Sequence, residues 1–457
     1  MKQWKLSLWL GFLLVLLVAC GGETAVNDSA AIPTSPPIQA EVTVPPPPAT
    51  ATLPPPVIQE GGETDKGENQ VGGGGDETTG EGDEQGFVAE ATAEPVVEMP
   101  AGPWPSDQFG YGVQVHGNAT VGNPDEIMGA VRNQLGMNWV KVQMQWYVVE
   151  RSDRDQWFFY DAVVENAHKH GLRLLLSVVA APEWTRAADN HQGPPDDYNN
   201  FANFLNKLID RYPGQIDAIE VWNEMNLDRE WQTARGVNPE DYVQFLQLSY
   251  NTIKAKDPNI IVLSGALSPT ADGDGIRWMD DFEWMDRALA AGMLNYADCV
   301  GAHHNGYNIG PTVTAEQAPS DPQRATAVFK GPFDNPRHLW SFKTTLDTYA
   351  QKVQAYDPNK KLCVTEFGWA TSEGYDAPPP GFEFALDNTL QEQADFLVQA
   401  FQTMHDSGNV WLAFVFNYDF GNKGSGPQDD PVPYSIIDVN GVPRPAFGAL
   451  AAMEKVP

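Results

Sequence analysis

Residues 218–224 read AIEVWNE, a short apolar run that ends in the polar pair Asn223 and Glu224. Its length and its β-branched and aromatic residues are typical of a buried strand. A longer amphipathic stretch follows at 239–256, and Asp257 and Pro258 mark the end of that helix. A buried strand followed by a helix predicts one unit of a parallel β-sheet that is covered by helices.

The same unit recurs along the chain from about residue 110 onward. Strands are predicted at 111–116, 139–144, 172–178, 218–222, 260–264, 299–303, 362–365 and 411–416, and helices at 124–135, 159–170, 199–211, 239–256, 275–291, 339–356 and 390–407. This alternation predicts an α/β fold of the (β/α)8 type, the TIM barrel. A doubly wound open sheet is the alternative, but the Gly-rich loop that usually follows its first strand does not occur after His116.

A barrel of this type carries its chemistry at the carboxyl ends of the strands, and two acidic motifs fall there. IEVWNE at 219–224 ends the fourth predicted strand, and VTEFGW at 364–369 ends the seventh. A carboxylate beside a Trp is costly to desolvate unless it has a partner or a chemical role. Two carboxylates about 5–5.5 Å apart are the machinery of glycoside hydrolysis with retention. Two rim glutamates held in salt bridges are the alternative interpretation.

The two motifs together resemble glycoside hydrolase clan A, with families 39 and 5 the nearest in pattern. The resemblance rests on Trp-Asn-Glu at the end of the fourth strand and Glu-Phe-Gly-Trp at the end of the seventh. It covers about residues 105–450. The resemblance implies a retaining enzyme in which Glu224 is the acid/base and Glu366 the nucleophile. It also implies that Asn223 binds the sugar 2-OH.

Other positions of the clan pattern are filled differently in this chain. The second strand of the clan often carries Arg-x4-Trp, and here Lys141 and Trp146 have that spacing. Lysine keeps the positive charge but not the planar guanidinium fork. The sixth strand of the clan often ends in His-x-Tyr. His303 fits the His position, Asn305 occupies the Tyr position, and Tyr307 is the candidate to replace that Tyr from the loop.

Aromatic side chains near the predicted strand ends are candidates for stacking on sugar C–H faces. The resemblance implies a Trp at the end of the eighth strand as the floor of the sugar site, and Phe416 occupies that place. Trp146 and Trp369 are further platform candidates, as are Trp184 and Trp231. For any one Trp, packing in the core is the competing interpretation.

The alternation of side chains along a strand predicts which polar residues face the barrel interior. Glu220 lies four residues before Glu224 and is expected to face inward as a hydrogen-bonded interior acid. His303 and His304 are adjacent and should face opposite sides, so they are not expected to share a metal ion. No metal site and no cofactor are predicted.

The same alternation predicts the directions of the two cysteines of the domain. Cys299 is four residues before His303 and should face inward with it. Cys363 is three residues before Glu366 and should face the helices. The two side chains would then point apart, which disfavours a disulfide bond.

The first twenty residues resemble the signal segment of a bacterial lipoprotein. Lys2 and Lys5 precede an apolar run at 6–18 that is too short for a comfortable membrane span, and Cys20 follows in the string LVACGG. The resemblance implies that residues 1–19 are removed and that the sulfur of Cys20 carries lipid. An ordinary signal peptide cleaved nearby and an uncleaved anchor helix are the alternatives.

Residues 20–100 have the composition of a disordered linker. Runs of Pro and Gly alternate with acids, and residues 21–100 hold fifteen Asp and Glu but one Lys. Such a segment cannot bury enough apolar surface to offset the entropy of ordering it, so it predicts a spacer. The glycoside hydrolase domain is therefore predicted for residues 101–457.

Together these features predict a monomeric, lipid-anchored glycoside hydrolase on the outer side of a bacterial membrane in the cell envelope. Its substrate would be an oligo- or polysaccharide with β-linked O-glycosidic bonds, cleaved by double displacement. The net charge of −33 argues against a nucleic-acid partner. Two alternatives are a non-catalytic carbohydrate-binding pseudoenzyme and a structural protein of the cell surface, each on the same barrel.

Overall fold

Eight parallel strands form one sheet in the part of the chain that the structure describes. The computed structural model describes residues 102–118, 121–188, 190–422 and 426–456. The predicted signal segment, Cys20 and the linker lie outside these residues. The strands are β1 Gly110–Val115, β2 Trp139–Gln145, β3 Arg173–Val179, β4 Ala218–Val221, β5 Ile261–Ser264, β6 Val300–Gly306, β7 Leu362–Trp369 and β8 Val410–Val415.

The order of the strands is that of a barrel opened between β5 and β6. Neighbours in the sheet run β5-β4-β3-β2-β1-β8-β7-β6, so β1 pairs with both β2 and β8. Between β5 and β6 the contact narrows to two parallel bridges, Leu263 with Cys299 and Leu267 with Ala302. These bridges nearly close the barrel, and the predicted (β/α)8 fold is confirmed.

Helices connect the strands and cover the outer face of the sheet. They are α1 Pro124–Asn133, α2 Trp146–Val149, α3 Phe158–Lys169, α4 Asn199–Arg211, α5 Pro239–Lys256, α6 Asp281–Ala290, α7 Gly331–Asp334, α8 Phe342–Gln354, α9 Leu390–Ser407 and α10 Pro445–Ala452. Local sequence sets several of their ends. The side chain of Asn238 caps α5, which begins with Pro239, and Thr389 and Glu392 form a capping box on α9. No helix within the described ranges is both long and apolar enough to cross a membrane.

The interior of the barrel changes from apolar to polar along the strands. An apolar cluster that includes Trp139, Leu175 and Ala218 fills the end where the strands begin. Lys141 lies two residues after Trp139 on β2, and Glu220 lies two residues after Ala218 on β4. Both polar side chains therefore face the same side of the sheet as those apolar residues. Because side chains alternate along a strand, these polar groups continue the inward row toward the carboxyl ends. The fold therefore gathers its buried charges at that end of the barrel.

The expectation that the two cysteines point apart is wrong. Cys299 and Cys363 form a disulfide bond with their Cα atoms 5.9 Å apart. The pairing of β6 with β7 shifts at Thr365, which has no residue opposite it and is therefore the extra residue of a β-bulge. A bulge adds one residue to a strand, so the side chains after it face the side opposite to the one that simple alternation predicts. Cys363 and Glu366 are an odd number of residues apart, yet both face the interior.

Candidate active site

A turn in the left-handed region of φ holds the acid at the end of β4. Trp222 and Glu224 have φ angles of 73° and 40°, which residues other than glycine rarely adopt. The Glu224 amide donates to the Ala266 carbonyl oxygen at 2.9 Å, which ties the turn to the segment after β5. Strained backbone of this kind concentrates at functional sites because the surrounding structure must hold it in place. Here it carries Glu224 into the mouth of the barrel.

Two nitrogen-bearing side chains contact the Glu224 carboxyl group. An Nη2 group of Arg229 donates to Oε2 at 2.9 Å, and Nδ1 of His303 lies 3.3 Å from Oε1. Glu224 is 1% exposed, so these side chains rather than water surround its carboxyl group. Arg229 comes from the same βα loop, whereas His303 comes from β6. Glu224, the acid predicted from the sequence, is therefore held by polar side chains from two separate parts of the barrel.

Lys141 is buried between two carboxylates, those of Glu366 and Glu220. Its Nζ donates to Glu366 Oε1 at 2.9 Å and lies 3.5 Å from Glu220 Oε2. All three side chains are fully buried. Burial alone would lower the pKa of Lys141, but the two carboxylates outweigh it and raise that pKa above its ordinary value. A cationic Lys141 favours the ionised form of Glu366.

One imidazole brings the two predicted catalytic carboxylates together. His303 Nδ1 lies 3.3 Å from Glu224 Oε1 and 3.9 Å from Glu366 Oε2. These two carboxylate oxygens can be no further apart than the sum of those distances. Glu224 follows β4 and Glu366 lies within β7, and these two strands are not neighbours in the sheet. Their convergence is therefore a property of the barrel and not of either motif alone.

Several buried polar atoms around the carboxylates have no hydrogen-bond partner among the described residues. Both amide atoms of Asn223 and of Gln114 are in this state, as are Glu366 Oε2 and the hydroxyl group of Tyr434. Buried polar groups in native proteins are nearly always paired. The unpaired groups beside the two carboxylates are therefore available to a polar ligand.

This geometry agrees with the family to which the sequence is assigned. Residues 106–418 match the family described as cellulase, glycosyl hydrolase family 5. The chain belongs to glycoside hydrolase family 5. A search of curated protein sequences finds no significant match.

Solved structures similar to this family 5 chain are also glycoside hydrolases. A family 39 glycoside hydrolase from Bacteroides cellulosilyticus WH2 has a TM-score of 0.53 and 18% sequence identity, covering 76% of this chain and 64% of that protein. A monomeric β-xylosidase from Caulobacter crescentus CB15 has a TM-score of 0.52 and 15% identity, covering 77% of this chain and 68% of that protein. The chain thus spans less than two thirds of the length of the first of these. At such identities the likeness supports the fold alone.

Tyr434 is a site residue of this family 5 chain that the sequence did not reveal. Gly368 lies two residues after Glu366 on β7, and a Cβ at Gly368 would come within 3.1 Å of the Tyr434 ring. Because Gly368 has no side chain, that ring fits over the inner face of β7. Burial raises the pKa of Tyr434 well above its ordinary value, and nearby Tyr307, Asp430 and Glu366 add to the increase. The glycine in Glu-Phe-Gly-Trp was the only local signal of this contact.

Two of the predicted aromatic residues lie in the same cluster as Tyr434. Phe416 follows β8 directly, and its ring centroid is 5.6 Å from that of Tyr434. Tyr307 follows β6 and packs edge-on against Trp340 at 4.6 Å. Burial raises the pKa of Tyr307, and the charge of Glu224 raises it further. The family 5 chain therefore places an aromatic wall beside its two carboxylates.

Trp146 and Trp369, predicted as sugar platforms, pack between the barrel and its helices. Trp146 stacks on Phe204 of α4 with centroids 5.3 Å apart, and Trp369 packs against Phe342 of α8 at 5.4 Å. Both Trp side chains are fully buried, and the packing partners of each ring include an aromatic side chain of a helix. They belong to the layer between barrel and helices. Trp184, by contrast, is 48% exposed.

The described residues contain one cluster of possible metal ligands, made of Asp280, Asp281 and His338. Each ligand group already has a role within the fold. Asp280 caps α6, and Asp281 Oδ1 lies 2.7 Å from His338 Nε2 and accepts from the Thr270 amide at 3.1 Å. Tyr349 donates to the other Asp281 oxygen. The cluster is therefore explained as a structural hydrogen-bond network.

Proposed function

We propose that this chain is a retaining glycoside hydrolase that cleaves β-linked O-glycosidic bonds of oligo- or polysaccharides. The observation that carries the proposal is the convergence of Glu224 and Glu366 on His303 Nδ1, at 3.3 Å and 3.9 Å. A carboxylate pair at the carboxyl end of a barrel is the arrangement that double displacement requires. Membership of family 5 supports the same chemistry.

In the first step, an oxygen of ionised Glu366 attacks the anomeric carbon. The bond from that carbon to the leaving oxygen breaks, and protonated Glu224 gives its proton to that oxygen. Lys141 donates to Glu366 Oε1 at 2.9 Å and places a positive charge beside the nucleophile. The products of the step are a covalent glycosyl ester of Glu366 and a free alcohol.

In the second step, the Glu224 carboxylate removes a proton from a water molecule. The water oxygen attacks the anomeric carbon, and the ester bond to Glu366 breaks. Two inversions give net retention of configuration. Arg229, 2.9 Å from Glu224 Oε2, supports the charged form of Glu224 in this step.

The remaining predicted residues are proposed to bind the sugar. The unpaired amide of Asn223, directly before Glu224, supports a hydrogen bond to the sugar 2-OH. His303 contacts both carboxylates and lines the same space. Phe416 and Tyr307 provide aromatic surface beside it, on which sugar C–H groups pack.

The experiment uses the full-length chain and a panel of β-glycosides. The family is named for cellulase, and one similar structure is a β-xylosidase, so aryl β-glucosides, aryl β-xylosides, β-glucan, xylan and mannan oligosaccharides form the panel. Glu366→Gln and Glu224→Gln should each lower kcat at least about 100-fold on natural linkages. Glu165→Gln on the exposed face of α3 is the matched control and should retain activity.

The anomeric configuration of the first-formed product, read by NMR, decides the mechanism. A β-anomer from a β-glycoside supports double displacement, and an α-anomer contradicts it. Sugar binding by calorimetry without turnover on any substrate would favour the carbohydrate-binding pseudoenzyme instead.

We further propose that the enzyme is anchored to a bacterial membrane by lipid on Cys20 and acts outside the cytoplasm. The signal-like residues 1–19 and the linker at 20–100 are the basis of this proposal. The Cys299–Cys363 disulfide supports it because such bonds persist in oxidising compartments. Cys20→Ser should abolish incorporation of labelled palmitate and shift the protein out of the membrane fraction. A Cys20→Ser variant that stays membrane-bound would contradict lipid anchoring.

A further inference from the structure

A continuous hydrogen-bond chain runs beneath the two carboxylates of the site. It begins at Glu220, whose Oε1 accepts from the Thr365 hydroxyl at 2.7 Å and from the Ala266 amide at 3.3 Å. Glu220 Oε2 lies 3.5 Å from the ammonium group of Lys141. Thr365 and the Ala266 amide both donate to this fully buried carboxyl group, and Lys141 places a cation beside it, so Glu220 is the acceptor at the start of the chain.

The accepting role of Glu220 determines the direction of the next hydrogen bond. A hydroxyl group has one proton to donate, and that of Thr365 is directed at Glu220. The Thr365 oxygen must therefore act as the acceptor toward His303 Nε2, which lies 3.0 Å away. This requires that Nε2 of His303 carries a proton.

The position of that proton determines what His303 offers to Glu224. A neutral imidazole has one N–H group, so with Nε2 protonated its Nδ1 is a lone pair. Nδ1 lies 3.3 Å from Glu224 Oε1. A lone pair at this distance accepts a hydrogen bond from a protonated carboxyl group but repels a carboxylate.

We propose that Glu220 and Thr365 hold His303 in the tautomer protonated on Nε2, so that His303 Nδ1 stabilises the protonated, acid form of Glu224. The inference rests on the proposed function, because the acid form is what the first step of hydrolysis consumes. Glu220 and Thr365 act through His303 and are positioning residues. Alternation from Cys363 turns Thr365 toward the interior, and the bulge allows the adjacent Glu366 to face the interior as well.

Other charged groups around Glu224 act on the same equilibrium. Arg229 on the same loop favours the carboxylate form at 2.9 Å from Oε2. Glu366 on β7 disfavours a second negative charge, although Lys141 partly neutralises it. Tyr307 after β6 also faces Glu224. His303 favours the protonated form of Glu224, because its Nδ1 lone pair accepts a hydrogen bond from a carboxyl group that carries a proton.

The first test compares Thr365→Val with Thr365→Ser in the full-length chain. Valine has nearly the shape of threonine but cannot relay the hydrogen bond, whereas serine can. Two aryl β-glycosides with the same sugar serve as substrates, one with a 2,4-dinitrophenyl leaving group and one with a phenyl leaving group. Departure of dinitrophenolate needs no general acid, and departure of phenolate does.

We expect Thr365→Val to lower kcat/KM on the phenyl glycoside about 10- to 100-fold and to leave the dinitrophenyl glycoside nearly unaffected. The basic limb of the pH dependence of kcat/KM should move to lower pH, because Glu224 loses its proton more easily. Thr365→Ser should restore most of the lost activity. Equal losses on both substrates with an unmoved basic limb would show that Thr365 only packs, and would overturn the proposal.

A second measurement does not depend on turnover. ¹⁵N NMR of the histidine-labelled wild-type protein reads the tautomer of each imidazole, and a His303→Gln variant assigns the signal of His303. Protonation on Nε2 with a bare Nδ1 is the expected result. Protonation on Nδ1, either alone or together with Nε2, would refute the proposal even if the protein hydrolysed glycosides. Absence of hydrolysis with the expected tautomer would count against the proposed function only.

Discussion

At the scale of single residues, the site depends on side chains that replace those of the clan pattern. Lys141 stands where the resemblance implied an arginine, and it contacts Glu366 through a single Nζ–Oε1 distance of 2.9 Å. The same ammonium lies 3.5 Å from Glu220. A point charge can serve two carboxylates on different strands, which a planar guanidinium committed to one bidentate pair does less readily.

Replacing Lys141 should therefore affect both stability and the pH dependence of activity. Lys141→Met leaves two buried carboxylates uncompensated, and we expect it to lower the free energy of unfolding by about 3–5 kcal/mol. It should also move the acidic limb of the pH–activity curve upward, because Glu366 would hold its proton more tightly. Urea unfolding and a pH series on one aryl glycoside measure the two effects.

Lys169→Met is the matched control for that variant. Lys169 pairs with Asp125 at 2.8 Å, but both side chains are about half exposed. An exposed pair contributes little to stability, and its loss should not change the pH–activity curve. Similar losses of stability in both variants would contradict the role given to Lys141.

The hydroxyl group of Tyr434 offers a second test at this scale. It is buried without a partner among the described residues, so Tyr434→Phe should change the free energy of unfolding by less than about 1 kcal/mol. If the hydroxyl binds substrate, kcat/KM should fall while stability stays. Tyr349→Phe is the contrasting control, because Tyr349 donates to buried Asp281 and its loss should cost about 1–3 kcal/mol. Unchanged kinetics in Tyr434→Phe would show that the hydroxyl group of Tyr434 does not bind substrate.

At the scale of helices and strands, local signals predicted most elements. The predicted bounds of α4, α5 and α9 agree with the structure. The side chains of Asn238 and Thr389 cap the starts of α5 and α9, whereas α4 has no side-chain cap. The helix predicted at 275–291 begins later, at Asp281. The Asp280 side chain accepts from the Phe282 and Glu283 amides and starts the helix there. The residues before it form a loop despite their helical pattern.

The contact between α6 and the segment before α8 should depend on pH. His338 stacks on Phe282 with centroids 3.8 Å apart and lies 2.7 Å from Asp281 Oδ1. Burial alone would lower the pKa of His338, but Asp281 and Asp280 outweigh it and raise that pKa above 6.5. A group with a raised folded-state pKa stabilises the fold below its unfolded pKa. That stabilisation is lost as the pH rises through the folded-state pKa.

The stability difference between wild type and His338→Gln should therefore be largest below about pH 6.5 and shrink at higher pH. Thermal unfolding across a pH series measures it. His405→Gln on α9 is the control, since His405 is 32% exposed and pairs only with the neighbouring, largely exposed Asp406 among the ion pairs described. A difference that grows with pH would contradict the assigned pairing of His338 with Asp281.

At the scale of the whole molecule, the barrel joins residues that are far apart in the sequence. The Cys299–Cys363 disulfide closes a segment of 64 residues inside the barrel. Cross-linking a loop of that size restricts the unfolded chain, and a double Cys299→Ala, Cys363→Ala variant should lose about 2–4 kcal/mol of unfolding free energy. Urea unfolding with and without a thiol reductant measures the loss. If the reductant destabilised the double variant as much as the wild type, its effect would not come from reduction of the Cys299–Cys363 disulfide.

The sequence by itself determined the repeating strand–helix pattern and the two glutamates at strand ends. Both are local properties, because hydrophobic periodicity and capping residues act over a few positions. The inward direction of Glu220 followed from the same reasoning, since β4 pairs with β5 without a shift of register. Local patterns alone were therefore enough to indicate the clan and the candidate carboxylates.

Only the tertiary structure decided the pairing of the cysteines, the burial of Trp146 and Trp369, and the entry of Tyr434 into the site. The bulge at Thr365 arises from the register between β6 and β7, which no single segment encodes. Tyr434 reaches β7 from a loop far along the chain because Gly368 leaves room for its ring. Contacts of this kind depend on how distant segments pack against each other, and local sequence patterns carry no information about that packing.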